Sequence, residues 1–318
     1  MGVLEPFEEG AREILPRLSG LRISASSVQR TTEEVGADLA QRRAAGESIG
    51  PRKAWDWNRD ASGKTVAYCG LDATGVRQQG PHAEKAEGRM PWVGVVFNPQ
   101  PAHEKRRRRR VWESRYVAGL MSLPELGSQL RRECQAVGVD QAELVIALTD
   151  GGNGLENCLL DVLGGVAQEM LFILDFWHAS DHLQEFANLF LTNEEPRRAQ
   201  VRRWCQCLKH RGGAALLVEL EQLDLSQASP TARESYRQLL GYVRNNVHRM
   251  DYPRYVKNGW QIGSGKVESA CKSVVCQRLK GPGMRWRSYG TTALCQLRAL
   301  YKSQPNLWQH YWKRTAAP

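Results

Sequence analysis

Three carboxylates, Asp72, Asp150 and Glu268, sit where an apolar strand or an amphipathic helix would hold each against the other two. Lys64-Thr-Val-Ala-Tyr-Cys-Gly-Leu-Asp72 is a β-rich run that ends in an acid and gives way to Ala73-Thr74-Gly75. It reads as a buried strand delivering a carboxylate at its end. Glu143-Leu-Val-Ile-Ala-Leu-Thr-Asp150, followed by Gly151-Gly152-Asn153-Gly154, repeats the pattern, and its glycines let backbone or substrate approach closely. The third acid lies in Gly263-Ser-Gly-Lys-Val-Glu268-Ser-Ala-Cys-Lys, a glycine loop running into a helix that holds Glu268 in its first turn or two. One strand-end acid alone is as readily a turn or helix cap. Three of them in a basic chain point to divalent-metal chemistry on a polyanion.

That chemistry explains the residue types. Phosphodiester hydrolysis and strand transfer are in-line displacements at phosphorus, and two divalent ions about 3.5–4 Å apart activate the attacking oxygen and stabilise the leaving one. Mg²⁺, with Mn²⁺ as its substitute, takes oxygen ligands and keeps waters, so a few carboxylates and a substrate phosphate suffice. By analogy with such sites, Asp72 bridges both ions while Asp150 and Glu268 each complete one shell. Asp175 competes for the second position, because Ile173-Leu-Asp175 also ends an apolar strand. Asp150 is preferred, since Gly151-Gly152 leave room for DNA and metal.

His178 and His182, four residues apart, share a helix face and with Asp175 raise a zinc reading. The His-Ala-Ser-Asp-His order lacks the Glu of a metallopeptidase, so His178 is read instead as supporting the site or touching DNA phosphate. Gly263-Ser-Gly265-Lys266 looks like a phosphate-binding loop, but Trp260 stands at its first Gly position and Val267 follows the Lys. Lys266 is expected to bring positive charge near a scissile phosphate.

The chain has 318 residues, 44 Lys and Arg against 34 Asp and Glu, and a net charge of +10. That length builds a sizeable core, and that balance draws the protein to anionic polymers or membrane surfaces. No apolar stretch nears the roughly 18–20 residues of a membrane span. The acidic start, Glu5, Glu8 and Glu9, is unlike a secretory signal, so a cytoplasmic, nucleoid-associated location is expected. The eight cysteines, with no Cys-x-x-Cys pair, read as reduced and mostly buried. Lys105, Arg106, Arg107, Arg108, Arg109 and Arg110 crown a predicted hairpin, as a contact for phosphate backbone rather than for sequence. Arg285-Trp286-Arg287 interleaves cation and aromatic, as do Arg202-Arg203-Trp204 and Trp312-Lys313-Arg314. Arg285 and Arg287 are candidate DNA contacts, whereas Trp204 and Trp286 are expected in the core.

These residues need elements to position them. Strands are predicted over 64–72, 91–98 and 111–119, an antiparallel meander. A helix near 123–137, a strand at 143–149, a helix near 154–163, a strand at 170–175 and a helix from 177 follow, in βαβ order. The sum is an α/β protein with a ribonuclease-H-like mixed five-stranded sheet and flanking helices. Residues 64–193 form the first part of this core, 194–255 an all-helical insertion before the last acid, and 256–318 the C-terminal helices that carry Glu268. Residues 1–50 form a small helical N-terminal region, a possible helix-turn-helix remnant, and Gly46 to Gly63 reads as a linker.

Ile173-Leu-Asp175-Phe-Trp-His178-Ala-Ser-Asp-His182-Leu, the segment from Tyr252 through Gly259-Trp260 and Gly265 to Glu268-Ser-Ala-Cys-Lys, and Gly283-Met-Arg285-Trp286 together resemble the Kra-type insertion-sequence transposases, bacterial relatives of the Mutator-like DDE superfamily. The resemblance runs from about residue 20 to the C-terminus. It implies that Asp72, Asp150 and Glu268 form a DDE triad holding two Mg²⁺ ions. It also implies that Asp175 and His178 match an acid-x-x-His element after the fifth strand. Members usually carry a longer N-terminal region, so the start at Met1 is read as a truncation or a shorter variant. The expected activity is cleavage at transposon terminal repeats and joining to target DNA, by a homodimer or larger assembly on paired ends. The alternatives are a nuclease that does not join, and a truncated or domesticated DNA-binding relative.

Overall fold

The computed structural model describes residues 1–99, 113–152 and 154–315. The described residues hold seven strands: β1 Val66–Ala73, β2 Val76–Gln79, β3 Lys85–Arg89, β4 Trp92–Phe97, β5 Ser114–Gly119, β6 Leu144–Thr149 and β7 Met170–Leu174. Five of them form a mixed sheet in the order β5-β4-β1-β6-β7. The β1–β4 and β4–β5 pairs are antiparallel, while β1–β6 and β6–β7 are parallel. The fold is therefore α/β, with helices on both faces of the sheet.

Side-chain parity divides the core. Successive strand residues point to opposite faces. Val66 and Tyr68 of β1, with Leu144, Ile146 and Leu148 of β6, face one layer. Ala67, Cys69 and Leu71, with Val145 and Ala147, face the other. The second layer is covered by the helices Leu123–Ala136 and Leu155–Leu163 through Leu126, Leu130, Leu159 and Val162. The first is covered by the helix Gly265–Ala270 and its continuation to Leu279, by Ser288–Lys302, and by the helices Phe176–Phe190, Glu194–Glu221 and Pro230–Asn246. Asp72 has the parity of Val66 and Tyr68, so its side chain belongs to the layer that contains the Glu268 helix.

Two features differ from the sequence reading. A β2–β3 hairpin stands between the first two strands of the meander. Its second strand, Lys-Ala-Glu-Gly-Arg, is largely exposed, so it carries no apolar alternation to betray it. The Gly46–Gly63 stretch carries no helix, as expected of a linker, yet it is pinned to the core. Lys53 N–H donates to the Ala136 carbonyl at 2.8 Å and Trp55 N–H to that of Val137 at 2.9 Å. Trp55 and Trp57 are buried, and Trp57 Nε1 donates to the Gly138 carbonyl. Two buried indoles hold such a segment more firmly than its Gly and Pro content indicates.

The first long helix, Ala25–Ala44, lies along Ser288–Lys302, with Val28, Gly36, Leu39 and Arg43 buried. Arg43 donates to Gln296 at 2.7 Å and pairs with Glu133 at 3.8 Å. All eight cysteines are free and six are buried. Trp204 and Trp286 are buried at 1% and 7% exposure. Among the described residues no helix is long and apolar enough to cross a membrane.

Candidate active site

The strand register builds the site. Gly70 of β1 stands against Leu148 of β6. Two residues further along these parallel strands, Asp72 comes beside Asp150. Thr149 is paired with Leu174, which leaves Asp175 next in line. The Glu268 helix crosses the same sheet end because Gly70 has no side chain: a Cβ there would meet Val267 Cγ2 at 2.5 Å. Val267, Ala270 and Val274 are buried beneath that helix. Burying one such valine is worth about 1.5–3 kcal/mol, so apolar packing, rather than the acid, seats the helix.

One cleft of about 360 Å³ results, lined by Asp72, Thr149, Asp150, Asp175, Trp177, His178, Asp181, Ser264 and Glu268 among others. Asp72 Oδ1 accepts from its neighbour Ala73 N–H at 2.6 Å, and Oδ2 accepts from the Cys271 thiol at 3.6 Å. Burial, and the charges of Asp150 and Glu268, hold the Asp72 carboxyl above its ordinary range against these bonds. Burial and the Asp72 charge in turn push the Cys271 thiol up, keeping it a donor.

Asp150 Oδ1 accepts from Gly152 N–H at 2.9 Å. The turn after it passes through Gly151 at φ +92°, a left-handed conformation that a side chain resists. Tyr242, from the helix Pro230–Asn246, donates its hydroxyl to the Asp150 carbonyl at 3.3 Å. Arg249, buried at 5% exposure, bonds Thr149 Oγ1 at 2.9 Å and pairs with Glu156 at 3.1 Å.

Asp175 does a different job. It caps the helix Phe176–Phe190, its Oδ1 accepting from Trp177 N–H at 2.7 Å and His178 N–H at 3.4 Å. Its Oδ2 takes Ser264 N–H at 3.1 Å and contacts the Ser264 hydroxyl. Both oxygens of this buried acid are thus engaged, whereas Asp150 and Glu268 face the cleft with fewer bonds.

His178 and His182 meet edge to face at 4.8 Å, and His182 lies 4.2 Å from the Tyr242 ring. Burial, and then His178, hold the His182 pKa below its ordinary value. The two rings form an aromatic wall with Tyr242. Lys266 sits with Nζ 5.9 Å from the Phe97 ring and 5.8 Å from that of Tyr116, and it does not line the cleft. Arg285 and Arg287 are exposed on a separate cleft of about 540 Å³ with Phe7, Gln29, Trp286 and Tyr289. The run Lys105 to Arg110 lies outside the described residues.

No protein-family model matches this chain, and no curated protein matches it. The site therefore rests on its own geometry.

Sequence reasoning gave no role to Ser264, Cys271, Tyr242 or Trp177. Ser264 and Cys271 stand four residues before and three after Glu268, one helical turn each way, and that spacing was the available signal. Tyr242 comes from the helix Pro230–Asn246, so only tertiary structure brings it here. Trp177, 65% exposed, is a large aromatic left open beside the acids. Among the described residues no three His, Cys, Asp or Glu side chains already stand as a metal-ligand group. Their donor chemistry still suits a hard ion: Asp72, Asp150 and Glu268 share a cleft with Asp175 and Asp181, and burial first, then the charges of Asp150 and Glu268, destabilises the Asp72 anion.

Proposed function

We propose that this protein is a DDE transposase, resembling the Kra-type enzymes and built on a ribonuclease-H-like core, that cuts the ends of its element and joins the freed 3′-hydroxyl to target DNA. The observation that carries this reading is the convergence of Asp72, Asp150 and Glu268 on one cleft in a chain of net charge +10. Strand order and direction support the ribonuclease-H-like assignment, with antiparallel β1–β4 and β4–β5 pairing on one side of β1 and parallel β1–β6 and β6–β7 pairing on the other. Asp72, Asp150 and Glu268 would hold Mg²⁺ or Mn²⁺. Two such ions, when bound, polarise the attacking and leaving oxygens at phosphorus.

The chain's own residues do the rest. Asp72 is fixed in the sheet and feels both other charges, so it is the acid with most to gain from a shared cation. Asp150 follows a strand locked at its last residue by Arg249. Glu268 enters from the opposite wall on a helix, and its exposed position leaves its carboxylate reachable from solvent. Arg285 and Arg287, exposed and distant in role from the acids, would hold DNA backbone, and the Lys105–Arg110 run would add to affinity. Paired ends call for a homodimer or larger assembly.

The test is cleavage of a labelled duplex bearing the element's terminal repeat in Mg²⁺ or Mn²⁺. Nicking at the repeat boundary should disappear in Glu268→Gln and Asp150→Asn while DNA binding persists. Nicking without strand transfer would reassign the chain as a nuclease that does not join. Binding without nicking in either metal would reassign it as a DNA-binding relative.

A further inference from the structure

We propose that Ser264 is a positioning residue that sets the direction of the Glu268 carboxylate before any metal arrives, with Asp175 as its anchor; the identity of Glu268 as a metal ligand rests on the function proposed above. Glu268 is exposed, and an unrestrained Glu side chain has up to about 1.5–2 kcal/mol of rotamer freedom to lose. One turn earlier, Ser264 Oγ lies 2.9 Å from Glu268 Oε1.

Ser264 cannot drift. It is 7% exposed, and Asp175 accepts both its N–H, at 3.1 Å, and its hydroxyl. Asp175 is itself fixed by the helix it caps. Phe176 N–H, donating to the Ile262 carbonyl at 2.8 Å, ties the same helix start to the loop that holds Ser264.

The hydroxyl has one proton for two acids. Asp175 also accepts three backbone N–H groups, and the hydroxyl shares its proton between Asp175 Oδ2 and Glu268 Oε1. Val267 burial seats the helix without this contact, so the hydroxyl contributes aim rather than attachment. An acid whose oxygens are all engaged in this way is a support for the third acid, not a fourth ligand. Supporting groups of this kind typically change metal affinity or activity by about 10–100-fold when removed.

The experiment is a Mn²⁺ titration of the full-length protein by water-proton relaxation, with circular dichroism as the check on folding. Ser264→Ala should weaken Mn²⁺ about tenfold while the fold is kept. Ser264→Cys, closer in volume but a poor donor, should do the same if the alanine variant does not fold. Ser264→Thr, which keeps the hydroxyl, should lie near wild type. In a Glu268→Gln background the alanine substitution should cost nothing further. Unchanged Mn²⁺ affinity in folded Ser264→Ala or Ser264→Cys, or an equal loss in the Glu268→Gln background, would overturn the proposal. Should the wild type show the Mn²⁺ pattern but never cut terminal-repeat DNA, the transposase reading fails and the positioning role stands. Failure of the wild type to bind Mn²⁺ at all would sink both.

Discussion

The acids borne on strands and the acid borne on a helix are held by different parts of the chain. Asp72 and Asp150 stand at the ends of two neighbouring parallel strands, and the hydrogen-bond ladder that pairs Gly70 with Leu148 fixes their relative place. Glu268 comes from a loop and short helix far along the sequence, after the long helices Glu194–Glu221 and Pro230–Asn246. No ladder reaches it. Its backbone is seated by a valine against a glycine, and its carboxylate is aimed by a serine. A pair set by backbone tolerates changes in surrounding side chains, whereas a group set by side chains depends on each of them.

The sharpest way to break that contrast is at Gly70. A valine there would drive a Cβ and two methyls into Val267 and against the Leu148 carbonyl, which a Cβ alone already meets at 3.1 Å. Overpacking of this kind costs about 1–3 kcal/mol, and the Glu268 helix is the movable partner. Gly70→Val should therefore lose both stability, read by urea unfolding, and terminal-repeat cleavage. Wild-type stability in this variant would show that the helix does not rest on Val267.

Charge offers a second, smaller effect that ranks the acids. The folded protein holds the Asp72 carboxyl above its ordinary 3.8, through burial first and then Asp150 before Glu268. The sign follows from linkage. A folded-state pKa raised above the unfolded one gives a stabilising contribution that is fully present below the unfolded value and is lost as pH rises through the folded one. Without metal, then, the ionised trio burdens the fold at neutral pH. Asp150→Asn should raise the melting temperature in chelator at pH 7, Glu268→Gln should raise it less, and the gain should shrink as the buffer approaches pH 4. Equal gains from the two variants would remove the distinction between the strand pair and the helix acid.

Much of this arrangement was legible from the residues. Apolar runs ending in Asp72, Asp150 and Asp175 gave three of the five sheet strands, and the βαβ spacing gave their parallel pairing. The charged strand β3 was not legible, because its residues are largely exposed and leave no buried face to write an alternating pattern. Nor was the division of labour between Asp150 and Asp175 settled by sequence, since both end apolar strands. The structure gives the two acids different settings: Asp175 is followed at once by helix and caps it, while Asp150 is followed by a glycine turn. Lys266 reads as a cation beside Glu268, yet helical geometry turns neighbours two apart to different sides, and its ammonium reaches the Phe97 and Tyr116 rings instead.

Tyr242 tests how far the backbone-held acid depends on anything beyond its strand. Its hydroxyl bond to the Asp150 carbonyl is long, at 3.3 Å, so its net worth falls near the lower end of the ordinary range, about 0.5 kcal/mol. The ring's contact with His182 does not need the hydroxyl. Tyr242→Phe should therefore fold normally and cleave at a rate within about threefold of wild type, since roughly 1.4 kcal/mol corresponds to tenfold. A loss well beyond tenfold would mean that Asp150 is aimed through the helical insertion, much as Glu268 is aimed through Ser264. The insertion would then be part of the active site's scaffold, and the backbone-held class would shrink to Asp72 alone.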